Sequence, residues 1–168
     1  LTMARTSEVR FALWDEFDLE DQEPIWRIPA EKMKMKQEHI VPLSRQASVL
    51  IGEVRRFTQG ENYVFHQVYN PKMPMSENTM LWAMYRMGYH SRATVHGFRA
   101  TMSTLLNEKG HNPDVIEHLL SHQEANKVRA AYNRAEYLSE RRTTLQWLAD
   151  HLDYLKLKAQ LKKAVIMS

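Results

Sequence analysis

Four groups of residues in this chain have types and spacings that could do chemistry. His96 and Arg99 stand three apart in His96-Gly97-Phe98-Arg99. On a helix that spacing puts both side chains on adjoining faces. A guanidinium can fork two oxygens of an anion while the imidazole gives or takes a proton, so the pair suits phosphate. Gly97 between them is costly in mid-helix, which predicts a close approach by another backbone or a ligand. His118 and His122 share a helical face at i, i+4. A zinc protease helix would need Glu after the first of them, yet Leu119 stands there, and no third ligand is evident. His122 therefore reads as a lone donor directed into a cleft. Tyr132 lies in Arg129-Ala130-Ala131-Tyr132-Asn133-Arg134, between small residues and flanking arginines, and Tyr137 is a rival hydroxyl five residues on. Finally, Lys32, Lys34 and Lys36 fall at every second position, which places all three on one side of a hairpin arm.

These groups need elements to position them. Ser7–Trp14 predicts a helix with Ser7 as N-cap. Ile25–Ile28 and His39–Leu43 read as two strands of one small antiparallel sheet. Ser44 caps a predicted helix over 45–57, with Ala47, Leu50, Ile51 and Val54 on its buried face. A Met-rich helix over 77–87 stops before Gly88. A helix over 94–109 should bury Val95, Phe98, Met102 and Leu105 and end at Gly110. Asn112 caps the next helix, with Pro113 at its first position, running to about Ser121. One more helix is expected over 126–134. A long last one, 139–165, carries Leu145, Leu148, Leu152 and Leu155 on one stripe and a basic end at Lys156, Lys158, Lys162 and Lys163. The fold class is thus mainly α with a small antiparallel β-sheet (α+β), in one domain spanning 1–168.

Composition narrows the function. The chain has 168 residues, no Cys, 43% hydrophobic and 26% charged residues. Without Cys there is no disulfide scaffold, Cys-ligated zinc, iron–sulfur cluster or thiol nucleophile. No apolar run is long enough for a membrane span. The net charge of +3 is segmental. Residues 1–24 hold two basic and seven acidic side chains, whereas 25–60 hold seven basic and three acidic. Residues 85–134 are also net basic, which fits a surface that faces nucleic acid.

Taken in chain order, these motifs resemble the catalytic domain of the tyrosine recombinases, the phage integrase family, in its prophage and genomic-island branch. Thr2-Met3-Ala4-Arg5-Thr6-Ser7-Glu8-Val9 resembles the family's first motif. That resemblance implies Arg5 as the first catalytic arginine and Glu8 as its buried supporting acid. The stretch ending Ile40-Val41-Pro42-Leu43 resembles the family's hairpin, whose catalytic lysine lies eight residues before the proline. Counting back from Pro42 implies Lys34, ahead of Lys32 or Lys36. His96 and Arg99 match the His-x-x-Arg box, His122 the closing His of a Leu-Leu-Gly-His element, and Tyr132 the nucleophile. Ser121 departs from the usual Gly before that His, and Gly97 stands where many relatives carry Asp.

The resemblance implies site-specific cutting and rejoining of double-stranded DNA through a 3′-phosphotyrosine, with no metal and no cofactor. Alternatives are a type IB topoisomerase-like relaxer or a catalytically idle DNA-binding or assembly module. It also implies a homotetramer on DNA with the C-terminal helix exchanged between protomers, and a monomer or weak dimer without DNA. The place of action would be the bacterial cytoplasm, at the nucleoid. Because the chain starts at Leu1, it is expected to be the C-terminal catalytic domain of a longer integrase, without the core-binding and arm-binding domains.

Overall fold

The computed structural model describes residues 1–58, 60–122 and 137–167. The expected helix over 126–134, and Tyr132 within it, lie outside the described residues. The order is α1 (Thr6–Arg10), β1 (Phe17–Asp18), β2 (Ile25–Ile28), β3 (His39–Pro42), α2 (Arg45–Thr58), α3 (Thr79–Arg86), α4 (Val95–Glu108), α5 (Pro113–Leu119) and α6 (Leu138–Met167). Short 3-10 turns occupy Trp14–Glu16 and Ala30–Lys32. The mainly helical architecture with one small antiparallel sheet is as expected, although β1 is an additional edge strand.

The sheet runs β1-β2-β3, with Trp26 opposite Val41 and Ile28 opposite His39. Alternation along a strand therefore sends Trp26, Ile28, His39 and Val41 to the same, buried face. Trp26 stacks on Phe17 at 5.1 Å, and its Nε1 donates to Glu16 Oε2 at 3.0 Å. Below the sheet, Leu106 of α4, Val115, Ile116 and Leu119 of α5, and Leu145 and Leu148 of α6 are essentially inaccessible. They form one core with the sheet.

Several expectations shift for local reasons. α1 starts at Thr6, with Arg5 rather than Ser7 at its N-cap, because Glu8 accepts the Arg5 backbone N–H at 2.6 Å. It stops at Arg10, since Trp14 N–H donates to the Asn62 carbonyl and Val64 N–H to the Ala12 carbonyl. Leu50, Phe98 and Leu155 are about half exposed rather than buried. α2 reaches the core through Ala47, Ile51 and Val54, and α4 through Met102, Leu105 and Leu106. Phe98 instead borders an open groove with Leu81 and Tyr85 of α3. α6 leaves the globule beyond Leu152, and residues 153–165 are exposed. Among the described residues, no helix is long and apolar enough to cross a membrane.

The helix ends set up the site. α3, α4 and α5 all finish in the same paired hydrogen-bond motif. For α5, Ser121 N–H donates to His118 O and His122 N–H to Glu117 O, both at 3.0 Å. This motif needs a left-handed residue just past the helix. Gly88 and Gly110 supply it for α3 and α4, with φ of 83° and 76°, but Ser121 must do so for α5 at φ 49°. A side chain in that region is strained. Ser121→Gly is therefore expected to stabilise the fold by about 0.5–1 kcal/mol, the strain relieved exceeding the added unfolded-state entropy. A higher urea midpoint with unchanged slope is the expected reading, and an unchanged or lower midpoint contradicts it.

Candidate functional site

Arg5 and Arg99 come together at the end of α5. Glu8, whose side chain is 5% exposed, pairs with Arg5 Nη1 at 2.7 Å and so directs that guanidinium. Arg5 Nη2 then donates to the carbonyls of Ser121 at 3.3 Å and Leu120 at 3.5 Å. Arg99, from the second turn of α4, donates through Nη2 to the same Leu120 carbonyl and through Nη1 to the Met3 carbonyl. One backbone oxygen thus receives two guanidinium groups. Met3 has φ 55°, so its left-handed turn is part of how that carbonyl is offered.

This is a cationic centre held largely by neutral acceptors. Burial, then the facing Arg5, lower the Arg99 guanidinium from its ordinary value, while Glu8 and Glu117 act in the opposite sense. His39, on the buried face of β3, is pushed down to about 3 by burial and then by Arg141, Arg5, Arg99 and His118. His39 is thus a neutral imidazole beside the clamp at neutral pH. Sequence reasoning missed it. Its signal was a histidine on the same strand face as Val41, opposite Ile28.

The other anticipated residues are placed as follows. His96 is exposed on the first turn of α4, one turn before Arg99. Thr94 caps that helix by accepting from Gly97 N–H at 3.0 Å. A Cβ at Gly97 would stand 2.9 Å from the same hydroxyl, so the cap itself crowds this position. His122 follows directly on Ser121, and its Nδ1 bonds Glu117 Oε2 at 2.9 Å.

The three hairpin lysines do not share a side, because a 3-10 turn replaces the expected strand arm. Lys32 folds back onto the Glu16 carboxylate and the Phe11 carbonyl. Lys36, at φ 54°, reaches the Glu31 carbonyl at 3.3 Å. Lys34 sits exposed at the tip of the β2–β3 connection. Tyr137 precedes α6 at φ 45°, with its ring 5.3 Å from that of His118. Its partly buried ring packs on the core.

Comparison with known proteins matches this architecture to one group. The phage integrase family profile covers residues 1–138. The integrase of Enterobacteria phage P4 is 44% identical over 169 residues, covering 91% of this chain and 38% of that protein. Prophage integrase IntA of Escherichia coli K12 is 42% identical over 150 residues, covering 89% of this chain and 36% of its own length. The chain therefore spans less than two fifths of these two relatives. Two solved structures of the Tn1549 transposon integrase share the fold. The one in complex with circular intermediate DNA superposes with a TM-score of 0.53 at 18% identity, over 80% of this chain and 50% of that one. The one in complex with transposon right-end DNA gives 0.54 at 18% identity, over 88% and 56%.

Proposed function

The chain belongs to the phage integrase family, and from that premise we propose that it is the catalytic part of a site-specific DNA recombinase. The carrying observation is the pair of guanidinium groups, Arg5 and Arg99, converging on the Leu120 carbonyl beside His122. Such a pair suits a phosphodiester whose transition state gains negative charge on its non-bridging oxygens. Arg5 and Arg99 hold those oxygens, and His122 adds a donor.

Tyr132 attacks phosphorus through its phenolic oxygen. The bond to the 5′-oxygen breaks, leaving a 3′-phosphotyrosine and a free 5′-hydroxyl. The phosphotyrosine conserves the bond energy for rejoining. Phenol is a weak nucleophile near its ordinary pKa of about 10, so His96 takes its proton. Lys34, at the exposed hairpin tip, protonates the leaving oxygen. Lys32 is already held by Glu16, which favours Lys34 for that role. No resident metal or cofactor takes part in this scheme.

On this reading the chain works within a longer polypeptide, on double-stranded attachment-site DNA, in the bacterial cytoplasm. The exposed far half of α6, with Leu157 and Leu161 more than half exposed, supports packing on a neighbouring protomer in a tetramer. Integration or excision of a prophage or genomic island is the resulting activity.

The test is a nicked suicide duplex that carries the element's junction sequence, incubated in EDTA. A covalent adduct whose phosphopeptide maps to Tyr132, and which is lost in Tyr132→Phe, is the expected result. Adduct surviving in that variant moves the nucleophile to Tyr137. Cleavage that requires a divalent cation overturns the mechanism. Transfer of the trapped strand to a separate 5′-hydroxyl end separates strand exchange from simple relaxation.

A further inference from the structure

Residues 78–107 hold three arginines, two histidines and no acidic side chain. They run from the start of α3 almost to the end of α4. The same stretch carries rings that the fold leaves in solvent. Trp82 is 58% exposed, whereas Trp14, Trp26 and Trp147 belong to the core or pack against it. Tyr89 and Phe98 are almost half exposed, and Met87 is more so. Large exposed patches of this kind mark binding surfaces.

The rings form a connected strip. Trp82 meets Tyr85 edge to face at 5.6 Å, and Tyr85 meets His90 at 4.4 Å. An edge-on meeting leaves ring faces uncovered that a parallel stack would hide. At Tyr85 the strip opens into a groove of about 580 Å³, bordered by Leu81, Phe98, Thr101 and Arg92. That volume is in the range of sites that hold small planar ligands. The guanidinium of Arg92 lies over the Tyr89 ring, 5.9 Å from its centre. Arg86, His90 and Arg92 are all exposed along this strip.

Aromatic faces set in a basic, acid-free surround suit single-stranded nucleic acid. Rings take bases whatever their sequence, and guanidinium groups take the phosphates between them. The exposed half of α6 from a second copy is a poorer match. Its Lys156, Lys158, Lys162 and Lys163 would be brought up to Arg86, His90 and Arg92, and like charges across an interface oppose docking.

We propose that the face formed by α3, α4 and their connection binds unpaired DNA bases, those of the strand freed by cleavage. Phe98 directly precedes Arg99 on α4, so the groove and the clamp are carried by the same turn of helix. The source of the strand rests on the recombinase reading. A freed 5′ end must leave its complement to reach a partner duplex, and its bases are then unpaired close to the clamp. The ring strip holds them during that interval.

Fluorescence anisotropy at fixed salt tests this with two labelled probes: a short oligothymidine strand and an abasic strand of the same length. The phosphates are the same in both, so the difference reports the bases. The oligothymidine is expected to bind at least about tenfold more tightly. Trp82→Ala and Phe98→Ala should each lose about tenfold on the oligothymidine and little on the abasic strand. Arg92→Gln should lower the slope of log affinity against log salt by about 0.7 on both strands. Equal binding of the two strands overturns the site, and so do ring variants that fold and keep the full preference for bases. Ring variants that keep the preference but lose self-association in sedimentation give the face to a second copy instead. Base-dependent binding without a covalent adduct on the suicide duplex keeps the site and overturns the recombinase reading. Adduct formation without base-dependent binding does the reverse.

Discussion

Arg99→Ala is expected to slow DNA cleavage by about a thousandfold while weakening DNA binding far less. The guanidinium of Arg99 is held by two backbone carbonyls, those of Met3 and Leu120, so its direction is set before any phosphate arrives. Donors fixed in advance cost no reorganisation as charge develops, and losing one such donor typically costs about 100- to 1000-fold. Here the loss is compounded. Arg5 also leans on the Leu120 carbonyl, and that oxygen would be left to Arg5 alone and draw it inward. On the proposed reading, ground-state binding is spread over many basic side chains that contact phosphates, so one of them contributes little to the whole. Arg99→Lys retains a charge but can satisfy only one of the two carbonyls, and an ammonium does not fork two oxygens. Its expected loss is about 100-fold. The measurement is single-turnover cleavage beside an equilibrium binding curve at fixed salt. A folded Arg99→Ala protein that cleaves at the wild-type rate would remove the clamp from the mechanism.

Much of this arrangement was legible before the fold. His96-x-x-Arg99, the Asn112-Pro113 helix start, and Ser44 as a cap all depend on neighbours a few residues away, and local spacing carries that information. Sequence order also led from Arg5 to Arg99 and His122, because each motif has its own wording. What could not be read was set by distant partners. Periodicity named the apolar faces of α2, α4 and α6 but not how far the next element extends over them. Leu50, Phe98 and Leu155 are therefore exposed on faces that looked buried.

The lysines at every second position implied a common side, yet the Glu16 carboxylate pulls Lys32 away into a 3-10 turn. The deepest gap concerns the clamp's supports. The carbonyls of Met3 and Leu120 are backbone atoms, and any residue carries one. Their only trace in the sequence was indirect: Ser121 in place of the usual Gly, a left-handed position that turns the end of α5 toward Arg5.

The second large effect is on acid stability, and it follows from His39. The residue is 9% exposed, on the core face of β3, and burial is followed by Arg141, Arg5, Arg99 and His118 in holding its value down. The folded value is about 3, against about 6.5 for an unfolded chain. Above about pH 6.5 the imidazole is neutral in both states and contributes no pH dependence. As pH falls from about 6.5 toward 3, the unfolded chain binds a proton that the folded chain refuses, so stability is lost through that window. The slope is about 1.4 kcal/mol per pH unit, or about 2 kcal/mol between pH 6.5 and 5. His39→Gln removes the titrating group, so its urea midpoint should fall less than the wild type's over the same range. Parallel curves for the two proteins would place His39 outside the clamp's field. The same field supplies a ligand test. An anion held by Arg5 and Arg99 offsets part of the positive charge that, after burial, keeps His39 neutral, raising its folded value and flattening the acid slope. Short duplex DNA at saturating concentration should therefore protect the wild type against acid more than it protects His39→Gln. Equal protection of both would mean that the anion sits elsewhere.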